Sequence, residues 1–177
     1  MAQTAFELLL DIDQRCRQLA AQLPSQENHL QTWSGIGFRL GSHWYVAPMG
    51  EVAEVLHEPR LSRVPGVKPW LLGVANVRGR LLPVLDLSGL LGHEPLAVHK
   101  HRRVLVIDRD EWIAGLLVDE VGGLQHFPLH SLDLSVAGDL PAGMAAFVQG
   151  HFQRDQLWHV FSPFALAHLP GFMNVAL

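Results

Sequence analysis

Histidine is the residue type in this sequence that most invites a chemical role, because the chain carries eleven of them. His99 and His101 are two residues apart, and His126 and His130 are four apart. Pro128 lies between His126 and His130 and prevents a regular helix from placing both on one face. No cysteine or glutamate falls at a usual metal-ligand spacing from them. We therefore expect scattered surface histidines, with no metal site and no cofactor.

Other short motifs also fail to define a catalytic site. Residues 35–41, GIGFRLG, resemble a dinucleotide-binding loop, but that loop must lead into a helix and here a strand is predicted to follow. Residues 84–89, VLDLSG, resemble the Asp-Ser-Gly of aspartic proteases, but Leu87 interrupts the run and no second run supplies the paired carboxylate. No serine lies in a GxSxG turn. No residue set is assigned to catalysis, and we expect that the protein is not an enzyme.

Composition and charge exclude several further classes of protein. Of the 177 residues, 49% are hydrophobic and 17% are charged, which is too apolar for a disordered chain. The formal net charge of −4 argues against non-specific nucleic-acid binding, which needs a positive surface. No run of about 20 apolar residues predicts a transmembrane helix, and the N-terminus lacks the pattern of a secretory signal. The sequence therefore predicts a cytoplasmic protein with a sizeable core.

The N-terminal part of the chain is predicted to be an amphipathic helix. Apolar residues recur at helical spacing in residues 4–23, and Thr4 with Glu7 fits a capping box. Cys16 falls on the apolar face, where it is expected to act as a small buried hydrophobe. Pro24 ends the helix, and a polar linker follows. We assign residues 1–33 to this helix and linker.

From Gly35 onward the hydrophobic period changes to two, which predicts short strands joined in hairpins. Their turns are predicted at residues 41–42, 78–79, 108–110 and 154–155. Asp86 or Ser88 is expected to cap a short helix to Leu91, and Pro163 to begin another that ends near His168. Residues 130–143 are interpreted as a connection between two β lobes.

A faint internal repeat supports two related lobes. Four residues match four others 76 positions later, and each set spans a hairpin and the short helix after it. The first set is Arg78, Leu81, Val84 and Leu90, and the second is Arg154, Leu157, Val160 and Leu166.

Residues 73–91, GVANVRGRLLPVLDLSGLL, closely resemble the signature of the CheW-like family of chemotaxis coupling proteins. The likeness extends upstream through VAPMGEVAEVLHEPRLSRVPGVKPWLLG and downstream through RRVLVIDRDEWIAGLLVDEVGGL. It covers roughly residues 33 to 170. The chain departs from the family at VFSPFALAHL, where Ser162 and Pro163 stand in place of a second Asp-Leu pair.

The resemblance implies a mainly β fold. Residues 34–170 would form two small five-stranded SH3-like β barrels side by side, with the N-terminal α-helix added, short helices after the hairpins and residues 171–177 as a tail. It implies a non-enzymatic adaptor that joins the cytoplasmic tips of methyl-accepting chemoreceptors to a CheA-type histidine kinase. That kinase carries a CheW-like regulatory domain of its own. The isolated protein is expected to be a monomer, recruited to the inner face of the membrane through receptor arrays.

The N-terminal segment and the first strand resemble most the family members that control type IV pili and twitching motility. Two other functions stay open from the residues. One is a CheW-like competitor or buffer of the kinase that does not couple receptors. The other is a small enzyme or ligand-binding barrel, which would need a cavity between the lobes and a titratable group with a perturbed pKa.

The resemblance also assigns site residues. Val52, Glu54, Asn76 and Arg78 are expected to bind the receptor, and Glu54 is expected to contact Arg78. An apolar groove between the lobes would receive the receptor's helical hairpin. The kinase-binding surface is expected on a second lobe made of residues 104–118 and the C-terminal hairpin, with no contact residue assigned.

Overall fold

The computed structural model describes residues 31–110, 112–170, 172 and 174–176. The predicted helix over residues 4–23 lies outside them. In the described part of the chain, no helix is long and apolar enough to cross a membrane. The strands are β1 Thr32–Leu40, β2 His43–Pro48, β3 Glu54–His57, β4 Leu71–Val77, β5 Arg80–Asp86, β6 Arg103–Arg109, β7 Trp112–Val118, β8 Glu120–Pro128, β9 Leu132–Asp133, β10 Val148–Gln153 and β11 Leu157–Phe161. The helices are α1 Leu87–Leu90 and α2 Pro163–Ala167, with 3₁₀ turns at Leu129–Ser131 and Ala145–Phe147.

The strands form two sheets, which we call lobe 1 and lobe 2. Lobe 1 has the order β8-β1-β2-β11-β10-β9, and lobe 2 has the order β3-β6-β7-β5-β4. Each lobe contains one parallel pair, β2 with β11 and β5 with β7, among antiparallel neighbours. The predicted mainly β, two-lobed fold is confirmed. Lobe 1 exceeds the predicted five strands by β9, which has two residues.

The chain enters lobe 2 and returns to lobe 1, so sequence order does not match lobe membership. It leaves lobe 1 after β2, builds all of lobe 2 from β3 to β7, and re-enters lobe 1 at Asp119. Two interpretations of the sequence are therefore wrong. Residues 104–118 do not share a lobe with the C-terminal hairpin, and residues 130–143 connect strands of the same lobe. The parallel pairing of β2 with β11 joins the β8-β1-β2 part of lobe 1 to its β11-β10-β9 part, and no local sequence pattern predicts it.

A shared hydrophobic core joins the lobes. Buried Phe38 and Tyr45 of lobe 1 belong to the same cluster as Leu85, Leu105 and Leu116 of lobe 2. Alternation along the strands explains this: on β6, Leu105 belongs to the shared core, whereas its neighbours Val104 and Val106 point to the opposite face and belong to the small core of lobe 2. Each lobe also has a separate small core, built around Leu82 and Val84 in lobe 2 and around Phe127 and Phe152 in lobe 1.

The repeat seen in the sequence corresponds to a repeated structural unit. In lobe 2 the β4–β5 hairpin leads into α1, and in lobe 1 the β10–β11 hairpin leads into α2. The Asp86 carboxylate accepts from the Gly89 N–H and caps α1, as predicted, at 3.0 Å. The Ser162 hydroxyl accepts from the Ala165 N–H and caps α2 at 3.1 Å. The exchange of aspartate for serine therefore keeps the cap.

Candidate functional site

A solvent-open groove of about 230 Å³ lies on lobe 2. Its apolar lining consists of Ala53, Val77, Leu82, Val106 and Ile113. Its charged lining consists of Glu54, Arg78, Arg80 and Asp108. These residues belong to lobe 2 or directly precede it, so the groove that holds Glu54 and Arg78 lies within lobe 2 and not between the lobes as predicted. The reason is that β3, which carries Glu54, pairs with β6.

The predicted contact between Glu54 and Arg78 is present. The Arg78 Nη2 donates to Glu54 Oε1 at 2.6 Å, and the two residues are 24 positions apart in the chain. The Arg78 side chain is 78% exposed, whereas that of Glu54 is 29% exposed. The groove therefore has an arginine at its rim whose direction is fixed by a partly sheltered carboxylate.

A tight hairpin turn presents Arg78. Val77 pairs with Arg80, and the two residues between them have φ values of 51° and 81°. Both values are positive, as a type I′ hairpin turn requires, and Gly79 adopts this conformation without a steric penalty. Arg78 is held there although non-glycine residues disfavour positive φ. The turn geometry is thus imposed on Arg78 by its surroundings.

The Asn76 side chain stabilises this turn by a hydrogen bond. Its Oδ1 accepts from the Gly79 N–H at 2.9 Å, which satisfies a backbone donor inside the turn. Asn76 is exposed on β4 and is not among the residues that line the groove. The structure therefore places Asn76 beside Arg78 as a residue that holds the turn.

Val52 is the fourth of the predicted site residues. It is half-buried in the segment between β2 and β3 and packs against the core that the two lobes share. Its neighbour Ala53 donates its N–H to the Val106 carbonyl at 2.8 Å, at the start of the β3–β6 pairing. Val52 thus anchors the segment that delivers Glu54, and it does not line the groove.

Glu51 anchors the same segment to α2, a contact that the sequence did not indicate. Its Oε2 accepts from the Ser162 hydroxyl at 2.7 Å and from the Phe164 N–H at 2.9 Å. Asp86 caps α1 with its own carboxylate, so in the second copy a serine and a distant glutamate share this task. The contact spans 111 positions, and a single sequence carries no signal for it.

Arg80 and Asp108 form a second ion pair in the groove, and sequence reasoning missed it as well. Arg80 donates to both carboxylate oxygens of Asp108, at 2.5 and 3.3 Å. The hydrogen bond from Arg80 lowers the pKa of Asp108, and the same contact raises the pKa of Arg80. Asp108 was expected in a solvated turn, but it lies in β6 and faces the groove. The alternation of residues after Arg103 predicts a strand, and continuing that strand by one residue would have placed Asp108 in it.

The expectation of surface histidines is wrong for His159. This residue is 1% exposed, and burial, followed by the neighbouring His43 and His151, lowers its pKa to about 4. Its ring lies 5.5 Å from the ring of Tyr45, whose pKa burial raises to about 12. Within the described residues, no cluster of three or more histidine, cysteine, aspartate or glutamate side chains is arranged to hold a metal ion.

The groove has the features of a binding surface. Its lining is partly apolar, and two positive and two negative side chains stand at its rim in two ion pairs. The apolar lining can bury an apolar side chain of a partner, and the rim charges can select the partner's orientation.

Comparison with known proteins identifies the family. The model of the CheW-like domain matches residues 34–170, which is most of the chain. The chain therefore belongs to the CheW-like domain family. The scaffolding protein TtCheW from Thermoanaerobacter tengcongensis has the same fold, with a TM-score of 0.65 over 74% of this chain and 89% of that one, at 23% sequence identity.

Among curated relatives, protein PilI of Pseudomonas aeruginosa is 57% identical over 175 residues, which span 99% of this chain and 98% of PilI. The resemblance carried by FELLLDIDQRCRQLA, WSGIGFRLG and PMGEVAEVLHEPR points to this relative and is confirmed. Protein FrzA of Myxococcus xanthus is 33% identical over 64% of this chain and 67% of FrzA. The chemotaxis protein CheW of Helicobacter pylori is 29% identical over 64% of this chain and 68% of that protein. The chain is thus a member of the CheW-like domain family that is similar over almost its whole length to PilI.

Proposed function

We propose that this protein is a non-enzymatic adaptor that couples methyl-accepting chemoreceptors to a CheA-type histidine kinase. The pathway would be the chemosensory one that controls twitching motility by type IV pili. The observation that carries the proposal is the Glu54–Arg78 ion pair at the rim of an apolar groove, within a CheW-like fold. The near full-length similarity to PilI supports the choice of pathway.

The groove suits the helical tip of a receptor. Half-buried Val77 and Ile113 line the groove and offer an apolar surface against which an apolar side chain of a helix can pack. Arg78 is largely exposed and remains able to interact with a receptor carboxylate, while Glu54 sets its direction. Such rim charges contribute specificity and association rate more than affinity.

The four predicted receptor-binding residues would then act in different ways. Glu54 and Arg78 would contact the receptor directly at the rim. Asn76 would hold the turn that presents Arg78, through its bond to the Gly79 N–H. Val52 would fix the segment before β3 by packing on the shared core.

The second partner in this proposal is the CheW-like regulatory domain of the kinase. The protein would act in the cytoplasm as a monomer when isolated and would reach the inner face of the membrane through receptor arrays. Coupling requires that the receptor and kinase surfaces can be occupied together, since two ligands of one site would only compete.

A charge reversal tests the groove. Arg78→Glu places a second carboxylate beside Glu54, so binding to the receptor's cytoplasmic tip should weaken by roughly tenfold or more. The melting temperature should stay close to that of the wild type, because exposed Arg78 contributes little to the core. Isothermal titration and thermal melting measure the two effects.

Arg154→Glu is the matched control, because Arg154 occupies the corresponding hairpin turn of lobe 1. It should leave receptor binding unchanged. Unchanged binding by Arg78→Glu would remove Arg78 from the site. Equal loss of binding and fold would show that Arg78 has a structural role only.

A further inference from the structure

The second ion pair of the groove, Arg80 with Asp108, is not among the four residues that the family resemblance assigns to receptor binding. Arg80 begins β5, two residues after Arg78, and Asp108 lies near the end of β6. Both line the groove that Glu54 and Arg78 also line. The rim therefore carries two positive and two negative side chains, each positive one paired with a negative one.

The Arg80–Asp108 pair is more exposed to solvent than another ion pair of the same lobe, Arg102 with Glu58. Arg102 and Glu58 also make a two-point contact, but the Arg102 side chain is only 8% exposed. Arg80 is 57% exposed and Asp108 is 33% exposed. Ion pairs open to water contribute little to folding, because solvent screens the charges. The Arg80–Asp108 pair is thus not needed to hold β5 and β6 together, since both strands already pair with β7.

The chemistry of the pair suits exchange with a partner. The guanidinium of Arg80 has further N–H donors beyond the two that Asp108 occupies, and they match the geometry of a second carboxylate. Asp108 is ionised at neutral pH, as an aspartate ordinarily is, and the hydrogen bond from Arg80 lowers its pKa further. Its carboxylate can therefore accept from a partner's lysine or arginine. A partner of a single charge sign gains no net attraction from a rim whose charges already cancel in pairs.

We propose that Arg80 and Asp108 form a second specificity-determining pair, which selects a receptor helix that carries an acid and a base beside an apolar side chain. The apolar side chain packs on Val77 and Ile113, and the partner's charges replace part of each contact within the rim. A partner with the opposite arrangement of charges meets like charges and is rejected. This inference rests on the proposed function, because it assigns the partner to the receptor tip.

A charge swap separates specificity from structure. Arg80→Asp and Asp108→Arg are made singly and together in the full chain, and the probe is the cytoplasmic helical-hairpin tip of a chemoreceptor from the same organism. Each single variant places like charges together and should weaken binding roughly tenfold. The double variant restores an ion pair of reversed direction, so its melting temperature should return to the wild-type value while binding stays weak.

Lys100→Asp, a charge reversal in the exposed segment before β6, is the control and should bind as the wild type does. Recovery of binding in the double variant would overturn the inference, because the pair would then act only by holding the groove together. Wild-type binding in both single variants would overturn it too. If Arg78→Glu still weakens binding in those cases, the proposed function stands. Failure of the wild type to bind the tip would overturn both.

Discussion

At the scale of single residues, two independent hydrogen bonds position Arg78. Asn76 fixes the turn through the Gly79 N–H, and Glu54 receives the Arg78 guanidinium from a different strand. The turn itself was predictable, because Arg-Gly between two alternating apolar runs is typical of a tight hairpin. The Arg80–Asp108 pair was not predictable, because the contact depends on how β5 and β6 are arranged in lobe 2, which the local sequence does not indicate.

His159 shows a second limit of sequence reasoning at this scale. The alternation along QLWHVF predicts a strand, and the structure turns Trp158, His159 and Val160 all into buried positions. Trp158 and Val160 face the small core of lobe 1, while His159 on the opposite face packs against Tyr45, so both faces of β11 are covered. A histidine in such a strand is buried without any change in the local pattern.

Burial of His159 makes stability depend on pH. Unfolded histidine has a pKa of 6.5, whereas folded His159 has a pKa of about 4, so the unfolded state binds more protons between these values. The free energy of unfolding should therefore fall as pH decreases from 6.5 to about 4, by up to about 1.4 kcal/mol per pH unit from this residue. Above pH 6.5 the residue is neutral in both states and has no such effect.

His159→Phe should flatten this slope, because the ring is kept and the titration is removed. Urea denaturation at several pH values measures it. His130→Phe, at an exposed position between β8 and β9, should keep the wild-type slope. An unchanged slope in His159→Phe would contradict this account of the residue.

At the scale of elements, the repeated unit is a hairpin followed by a capped short helix. The sequence predicted both copies and a cap for α1, because alternating apolar residues and an Asp before a helix are local signals. It did not predict Ser162 as the cap of α2. It did not predict that Glu51 would complete the cap of α2. That contact ties the segment between β2 and β3, which delivers Glu54, to the last helix.

Removal of the Glu51 carboxylate should destabilise the protein. In Glu51→Ala the Phe164 N–H and the buried Ser162 hydroxyl lose their acceptor, so the free energy of unfolding should fall by about 2 kcal/mol. Glu51→Gln keeps a carbonyl oxygen that can accept both bonds, and its loss should be less than half as large. Urea denaturation measures these differences.

Glu94→Ala removes an exposed glutamate after α1 and should change stability by less than about 0.5 kcal/mol. Equal stability of Glu51→Ala and the wild type would show that the contact with α2 contributes nothing. Equal losses in the alanine and glutamine variants would show that the charge, and not the hydrogen bonds, is what matters.

At the scale of the whole molecule, two lobes share one core while the chain passes between them twice. The family signature was sufficient to predict the two-lobed β fold, and the CheW-like match confirms it. The assignment of segments to lobes was not predictable, because the strands that complete lobe 1 come from both ends of the domain. The groove was consequently expected between the lobes, whereas β3 carries Glu54 into lobe 2.

The central claim is that the protein binds a receptor and a kinase at the same time. Co-purification of the full chain with the receptor's cytoplasmic tip and with the kinase's CheW-like regulatory domain, separately and together, tests it most directly. We expect two binary complexes and one ternary complex that contains all three proteins. Binding to the kinase domain alone, as a competitor or buffer would show, or mutually exclusive binding of the two partners, would contradict the claim.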